Sequence, residues 1–241
     1  TPVSCIVGDA REAGIATTQT GIRVLSGYSR EGRGMAWITR KWPELWSALK
    51  RANADIYVTR GASWFVGAVG LFARLHRRQH IVWMASEADI DALDSSGPLP
   101  VHARTCWAFG VRHADALVAQ TGTQQRRMRE RTGRESQIIP NMWIATGASA
   151  VASDLRRDVL WVGNIRERKR PMLALDVAER LPDRTFELVG GGIPGEERLH
   201  EEVVSRAESL ANVTCVGHVP HARVHTLYGG ARLLLHTSAM E

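Results

Sequence analysis

With 241 residues and 44% hydrophobic content, the chain is long enough to bury a substantial core as one large α/β domain or two smaller ones, which argues against a disordered polymer. A formal charge of +6 and a pI near 9.8 point to anionic partners, with nucleotides, phospholipid headgroups and nucleic acid all compatible. Cys5, Cys106 and Cys215 are odd in number, far apart and in no CxxC or His-interleaved spacing. That argues against a zinc site or a disulfide framework and fits a reducing, cytoplasmic compartment.

The chain begins at Thr1, with no signal peptide and no initiator Met, so upstream sequence is expected to be missing. In the first forty residues only Cys5–Val7 and Ile22–Leu25 read as short strands, and no glycine-rich nucleotide loop is present. From Asp55 onward, apolar β-branched runs alternate with longer helical patterns, the order of βαβ units and a parallel sheet. The expected elements are a strand at Asp55–Thr59, a helix at Ala62–Leu75, a strand at His80–Ala85 and a helix at Val101–His113. A short strand at Ala116–Ala119, a polar helix at Thr121–Arg131 and a strand at Gln137–Ile139, stopped by Pro140, complete this part.

The uncharged stretch from Gly61 to Ala73 is too short to cross a bilayer and reads as a buried helix. It runs into Arg74, His76, Arg77, Arg78 and His80, which suit either a solvated helix end or a peripheral membrane contact.

Residues 141–154 lose periodicity and are rich in Ala, Ser, Thr and Gly, the composition of a linker. The domain division is therefore placed at 1–145 and 146–241. Alternation restarts with a strand at Val159–Val162 and a helix whose Leu173, Ala174, Val177, Ala178 and Leu181 share one face. A strand at Thr185–Val189, a helix at Glu196–Leu210 and a strand at Val213–Val216 follow, then a helix at Ala222–Gly229 and a strand at Arg232–His236. This is a second Rossmann-like unit.

The segment from Val162 to Pro171 (VGNIRERKRP) joins the first strand of that unit to its first helix. A strand's carboxyl end followed by a helix N-terminus presents backbone N–H groups and partial positive charge, a setting for phosphate. Lys169 is the candidate cation for a leaving diphosphate, because it is one of only three lysines (Lys41, Lys50, Lys169) in an arginine-biased chain. A solvated charge run at a helix start is the competing reading.

Four motifs occur in order: Val162-Gly163 with Lys169-Arg170-Pro171; Leu188 to Gly192 (LVGGG); Asn212 to Pro220 (NVTCVGHVP); and His236 to Glu241 (HTSAME). Together they resemble the donor domain of family-4 retaining glycosyltransferases, which have the GT-B fold. Upstream, Leu117 to Thr121 (LVAQT) and Ile138 to Asn141 (IIPN) resemble the end of that family's acceptor domain.

The resemblance implies a metal-independent enzyme using a nucleotide-diphosphate sugar and an unknown acceptor, with two Rossmann-like domains, both incomplete. It implies that Lys169 pairs with the donor diphosphate among Gly163, Asn164 and Gly190. Asn164 stands where many relatives have Arg, leaving Arg166 or Arg168 to supply the second cation. Gly217, His218 and Val219 resemble the segment that contacts the base through backbone groups, although His218 also reads as a solvated loop histidine. Glu241 matches the first of the family's paired glutamates, the one that holds the transferred sugar. The second would lie beyond the chain, so the chain by itself is expected to be inactive and poorly soluble.

On the acceptor side the family's catalytic histidine is replaced by Ser86-Glu87-Ala88-Asp89, where Glu87 or Asp89 could stand in or serve as a helix cap. Asp89-Ile90-Asp91 also spells a metal-binding DxD, and Asn212-Val213-Thr214 a glycosylation acceptor. Two other readings stay open. One is a GT-B sugar-nucleotide epimerase. The other is a nucleic-acid-binding module, suggested by Arg-rich stretches at 74–78 and 126–134 and by eight tryptophans.

Overall fold

A computed structural model describes residues 2–8, 16–17, 21–28, 40–97, 99–141 and 157–239. The chain divides into two compact units, Thr1–Asn141 and Met142–Glu241. The boundary expected after residue 145 falls in 142–156, outside the described residues. The class is α/β, as expected, and among the described residues every strand pair but one is parallel.

In the first unit, β1 (Ser4–Gly8), β2 (Ala16–Thr17) and β3 (Arg23–Tyr28) form one sheet, in which β2–β3 is the antiparallel pair. A second sheet has the order β4 (Ile56–Arg60), β5 (Gln79–Trp83), β6 (Ala116–Ala119), β7 (Gln137–Ile138). Between β3 and β4 lies α1 (Trp42–Ala52), which the sequence reading left unassigned. Its signal is the spacing of Leu45, Ala48, Leu49 and Ala52, all buried on one face, with Asn53 closing it in the left-handed region at φ 43°. That face packs with Leu25, Tyr57 and Phe72 in one of the unit's two cores.

Helix α2 (Trp64–Leu75) is buried nearly all round up to Ala73, as the absence of charge before Arg74 requires. It crosses α4 (Val101–His113) at glycines: a Cβ on Gly67 would lie 2.4 Å from the Cys106 carbonyl oxygen, and one on Gly110 2.7 Å from Val66. The short α3 (Ala88–Asp91) and the polar α5 (Gly122–Thr132) complete the unit around fully buried Trp107, Met84 and Met128.

The second unit has β8 (Arg157–Val162), α6 (Pro171–Glu179), β9 (Phe186–Val189), α7 (Glu197–Glu208), β10 (Val213–Gly217), α8 (His221–Gly229) and β11 (Ala231–Leu235). Its four described strands are parallel, in the order β10-β9-β8-β11. Its core joins Trp161, Ile165, Leu175, Phe186 and Val203 between sheet and helices. No described helix is long and apolar enough to cross a membrane.

Candidate functional site

The strand order of the second unit fixes where a ligand can enter. The chain runs outward from β8 to β9 and β10, then returns to the other side of β8 as β11. Connections leaving β8 and β11 therefore diverge, and a crevice opens at their carboxyl ends, the switch point at which open α/β sheets take ligands.

Three loops meet there through backbone hydrogen bonds. Gly163 N–H donates to Val189 O (2.9 Å), Ile165 N–H to Gly191 O (2.9 Å) and Gly190 N–H to Gly217 O (2.9 Å). A Cβ on Gly190 would lie 1.7 Å from the Gly163 carbonyl oxygen, so no other residue fits between these strands as they stand. On Gly191 it would reach the His218 Cβ at 3.1 Å. Gly217 turns the third loop at φ +78°, with His218 exposed beyond it and Val219 half-buried.

After Gly163, the exposed Asn164 precedes Ile165, which is only 1% exposed and anchors the loop in the core. A 3-10 turn, Glu167–Lys169, follows, tied by Glu167 N–H to Glu196 Oε2 at 2.6 Å. Arg170 then takes the left-handed conformation at φ +50°, and α6 begins at Pro171 with no side chain capping it. The turn that leads into it carries three cations, the half-buried Arg166 and Lys169 and the exposed Arg168, while Pro171 has no N–H and the Leu173 N–H donates to the Arg170 carbonyl (3.1 Å). The Arg166 Nε is buried and has no hydrogen-bond partner among the described residues. Positive charge is thus gathered at the helix start beside the switch point.

The segment after β11 closes the crevice from the other side. Thr237 donates to the Lys169 carbonyl (2.7 Å) and accepts from the Trp161 indole (2.9 Å), while Ala239 N–H reaches the Arg168 carbonyl (3.0 Å). Trp161 and Thr237 were not singled out from the sequence. The buried aromatic in β8 and the hydroxyl of the HTSAME motif were the only signals. Gly163, Asn164, Arg166, Arg168, Lys169, Gly190, Gly217, His218 and Val219 all lie on loops at the carboxyl ends of β8, β9 and β10. Glu241 lies outside the described residues.

At the strand ends of the first unit, the carboxylates are engaged internally. Asp89 accepts from Ala62 N–H (2.9 Å) at one oxygen and from Ala85 (2.6 Å) and Ser86 (3.0 Å) at the other. It clamps the loops after β4 and β5 and is 8% exposed. Asp91 and Glu87 both pair with Arg127, the latter at 3.1 Å. The two carboxylates of the DxD spelling are thus a loop clamp and an ion pair.

Other sequence signals resolve in the same way. Arg131 pairs with Asp94 (2.8 Å), Arg129 with Glu135 (3.1 Å), and Arg134 donates to carbonyls of Val111 and Ala114, so the Arg-rich 126–134 stretch ties helices together. The Asn212 amide donates to three carbonyls, of Ala178, Leu181 and Arg184, each at 3.0 Å, and so holds the turn before β10. His80, grouped in sequence with a basic helix end, is instead a core residue at 1% exposure, bonded to Thr59 at 2.9 Å.

Two parallel-sheet Rossmann-like units, one with glycine-rich loops converging at its switch point, have the fold of GT-B glycosyltransferases. A family model described as "Glycosyl transferase 4-like domain" matches residues 3–142, and the chain belongs to that family. No curated protein matches the chain in sequence.

Among solved structures, the chain is similar to sucrose-phosphate synthase from Thermosynechococcus elongatus, with 18% identity and a TM-score of 0.71 over 98% of this chain and 65% of that one. It is similar to Anabaena HepE in complex with UDP and glucose, at 17% identity and a TM-score of 0.67 over 90% and 60%. UDP-GlcNAc 2-epimerase from Methanocaldococcus jannaschii follows with 14% identity and a TM-score of 0.52 over 86% and 62%. The chain thus spans less than two thirds of the length of each of these relatives.

Proposed function

We propose that the chain carries the donor site of a retaining glycosyltransferase that moves a sugar from a nucleotide-diphosphate sugar to an acceptor. The observation that carries this reading is the loop from Gly163 to Arg170, which brings Arg166, Arg168 and Lys169 to the N-terminus of α6 at the switch point. Gly163 and Gly190 let the loops pack closely enough to form the site, and Lys169 supplies charge to the leaving group without a metal. Gly217, His218 and Val219 contact the base, and Glu241 holds hydroxyls of the transferred sugar. Family membership and the fold shared with HepE, whose structure holds UDP and glucose, support this assignment.

The test has two arms. UDP, GDP or ADP should raise the melting temperature of the chain more than the matching monophosphate does. In the complete protein, Lys169→Ala should lower turnover about 100-fold, the effect of removing one donor to developing negative charge. Equal turnover in variant and wild type would remove Lys169 from the site. Identification of the sugar product separates transfer from epimerisation.

A further inference from the structure

The reading of Lys169 as the diphosphate cation leaves open what holds its loop in shape. The loop turns sharply twice. The 3-10 turn Glu167–Lys169 is followed at once by Arg170 at φ +50°, a conformation in which a side chain crowds the preceding carbonyl. The rotation that defines this φ is set by the Lys169–Arg170 peptide plane, and the carbonyl of that peptide accepts the Thr237 hydroxyl at 2.7 Å.

The direction of that bond follows from chemistry. An indole N–H can only donate, and a hydroxyl has one hydrogen. Since Trp161 donates to Thr237 Oγ1 at 2.9 Å, the lone-pair side of the hydroxyl is occupied there and its hydrogen is left for the Lys169 carbonyl. Trp161 is 2% exposed and Thr237 8%, so water competes little for either bond. The same indole ring lies 3.3 Å from the position of a Cβ on Gly163, and the Lys169 stem lies 3.7 Å from that position. Ring, glycine and lysine stem are thus packed together.

On this basis we propose that Thr237 is a positioning residue for the donor site. Through the chain Trp161 to Thr237 to the Lys169 carbonyl, it holds the β8 loop to the segment after β11, across the switch point. It keeps Arg170 left-handed, so that the Lys169 ammonium is held toward one anion, the terminal phosphate of a nucleoside diphosphate. The proposal rests on the Lys169 assignment above, and the experiment separates the two.

Calorimetric titration of the chain with UDP and with UMP reads the terminal phosphate directly and requires no turnover. Thr237→Val, which keeps the shape and removes the hydroxyl, should weaken UDP about tenfold and UMP less than twofold, while Thr237→Ser stays within twofold of wild type for both. In a Lys169→Ala background, Thr237→Val should add less than a twofold loss, because the group it positions is gone.

An equal loss for UDP and UMP, or an undiminished loss in the Lys169→Ala background, would overturn the role of Thr237 and leave Lys169 standing. Wild-type affinity for UDP in Lys169→Ala alone would overturn the underlying assignment, and the proposal with it, as would equal UDP and UMP affinity in the wild type. Circular dichroism checks folding. Should Thr237→Val not fold, Thr237→Ala carries the same comparison, since it removes the same bond with less crowding.

Discussion

The two units finish their strands in opposite ways. At the carboxyl ends of β4 and β5, side chains satisfy the backbone: Asp89 takes three amides, and Gln120 donates to the carbonyls of Met84 (2.6 Å) and Ala85 (3.2 Å). At the ends of β8, β9 and β10, backbone meets backbone, through Gly163, Gly190, Gly191 and Gly217, and the loop after β8 goes on to carry the cations Arg166, Arg168 and Lys169. A loop tied by side chains is fixed but filled. A loop tied by glycine backbone is fixed by close packing of main chain on main chain, its N–H groups bonded to neighbouring carbonyls. Rigidity has thus been reached by two routes.

The largest expected effect probes the second route. Gly190→Ala would place a methyl group 1.7 Å from the Gly163 carbonyl oxygen, and since the obstacle is backbone, the strands themselves must part. Overpacking of this kind costs about 3 kcal/mol and can cost more. Urea unfolding followed by hydrogen exchange should show peptides from β9 losing protection in this variant while peptides from β5 keep theirs. Equal loss in both would mean that the units do not unfold separately, and the comparison above would lose its footing.

Asp89→Asn tests the first route and should cost about 2 kcal/mol, located in the first unit. The amide keeps the shape of the carboxylate but has one oxygen in place of two. Either the Ala62 N–H or the Ala85 and Ser86 N–H groups then face an NH2, and the remaining bonds lose their charge assistance. Unfolding in urea, read from the first-unit peptides, measures it; a change below about 0.5 kcal/mol would show the clamp to be decorative, at the level of an ordinary surface substitution.

Much of this architecture was legible in the sequence, because buried parallel strands are short apolar runs and the connecting helices carry a 3.6-residue period. The strands at β4, β6, β8 and β10 lie within a residue or two of their expected places. Helix α1 escaped, although Leu45, Leu49 and Ala52 carry the right spacing, because it follows a stretch without periodicity that offered no strand to anchor the alternation.

The loops were legible as motifs, but their internal bonds were not. Nothing in VGNIRERKRP says that Thr237, 68 positions downstream, bonds to the Lys169 carbonyl. Nor does a DxD spelling reveal that one carboxylate turns back onto three amides. Such contacts depend on the strand order, which places β11 beside β8, and order is not written in local periodicity. His80 stood in two readings, as the start of the strand at His80–Ala85 and as part of the basic run after the Gly61–Ala73 stretch; β5 starts at Gln79 and turns His80 inward, in keeping with the first.

That buried histidine supplies the smallest expected effect and a signature belonging to the first unit. Its Nε2 lies 2.9 Å from Thr59 Oγ1, its Nδ1 is buried without a hydrogen-bond partner, and a Cβ on Gly70 of α2 would sit 3.1 Å from that nitrogen. Burial lowers its pKa from 6.5 to about 4, against a partial upward pull from Asp115, whose carboxylate accepts the His80 backbone N–H at 2.7 Å. Above pH 6.5 the ring is neutral in both folded and unfolded chains, so the stabilising difference is fully present. As pH falls below 6.5 the unfolded chain takes up a proton that the folded chain refuses, and stability declines until the folded ring also protonates near pH 4. Between pH 7 and pH 5 the loss should be about 2 kcal/mol, taking 1.36 kcal/mol per pH unit over the window in which only the unfolded histidine is charged. Urea unfolding of the wild type and of His80→Gln at the two pH values measures it. The first-unit transition should weaken by that amount more in the wild type than in the variant, with the β9 peptides showing no such difference. A wild-type pH dependence equal to that of His80→Gln would place the titrating group elsewhere in the molecule.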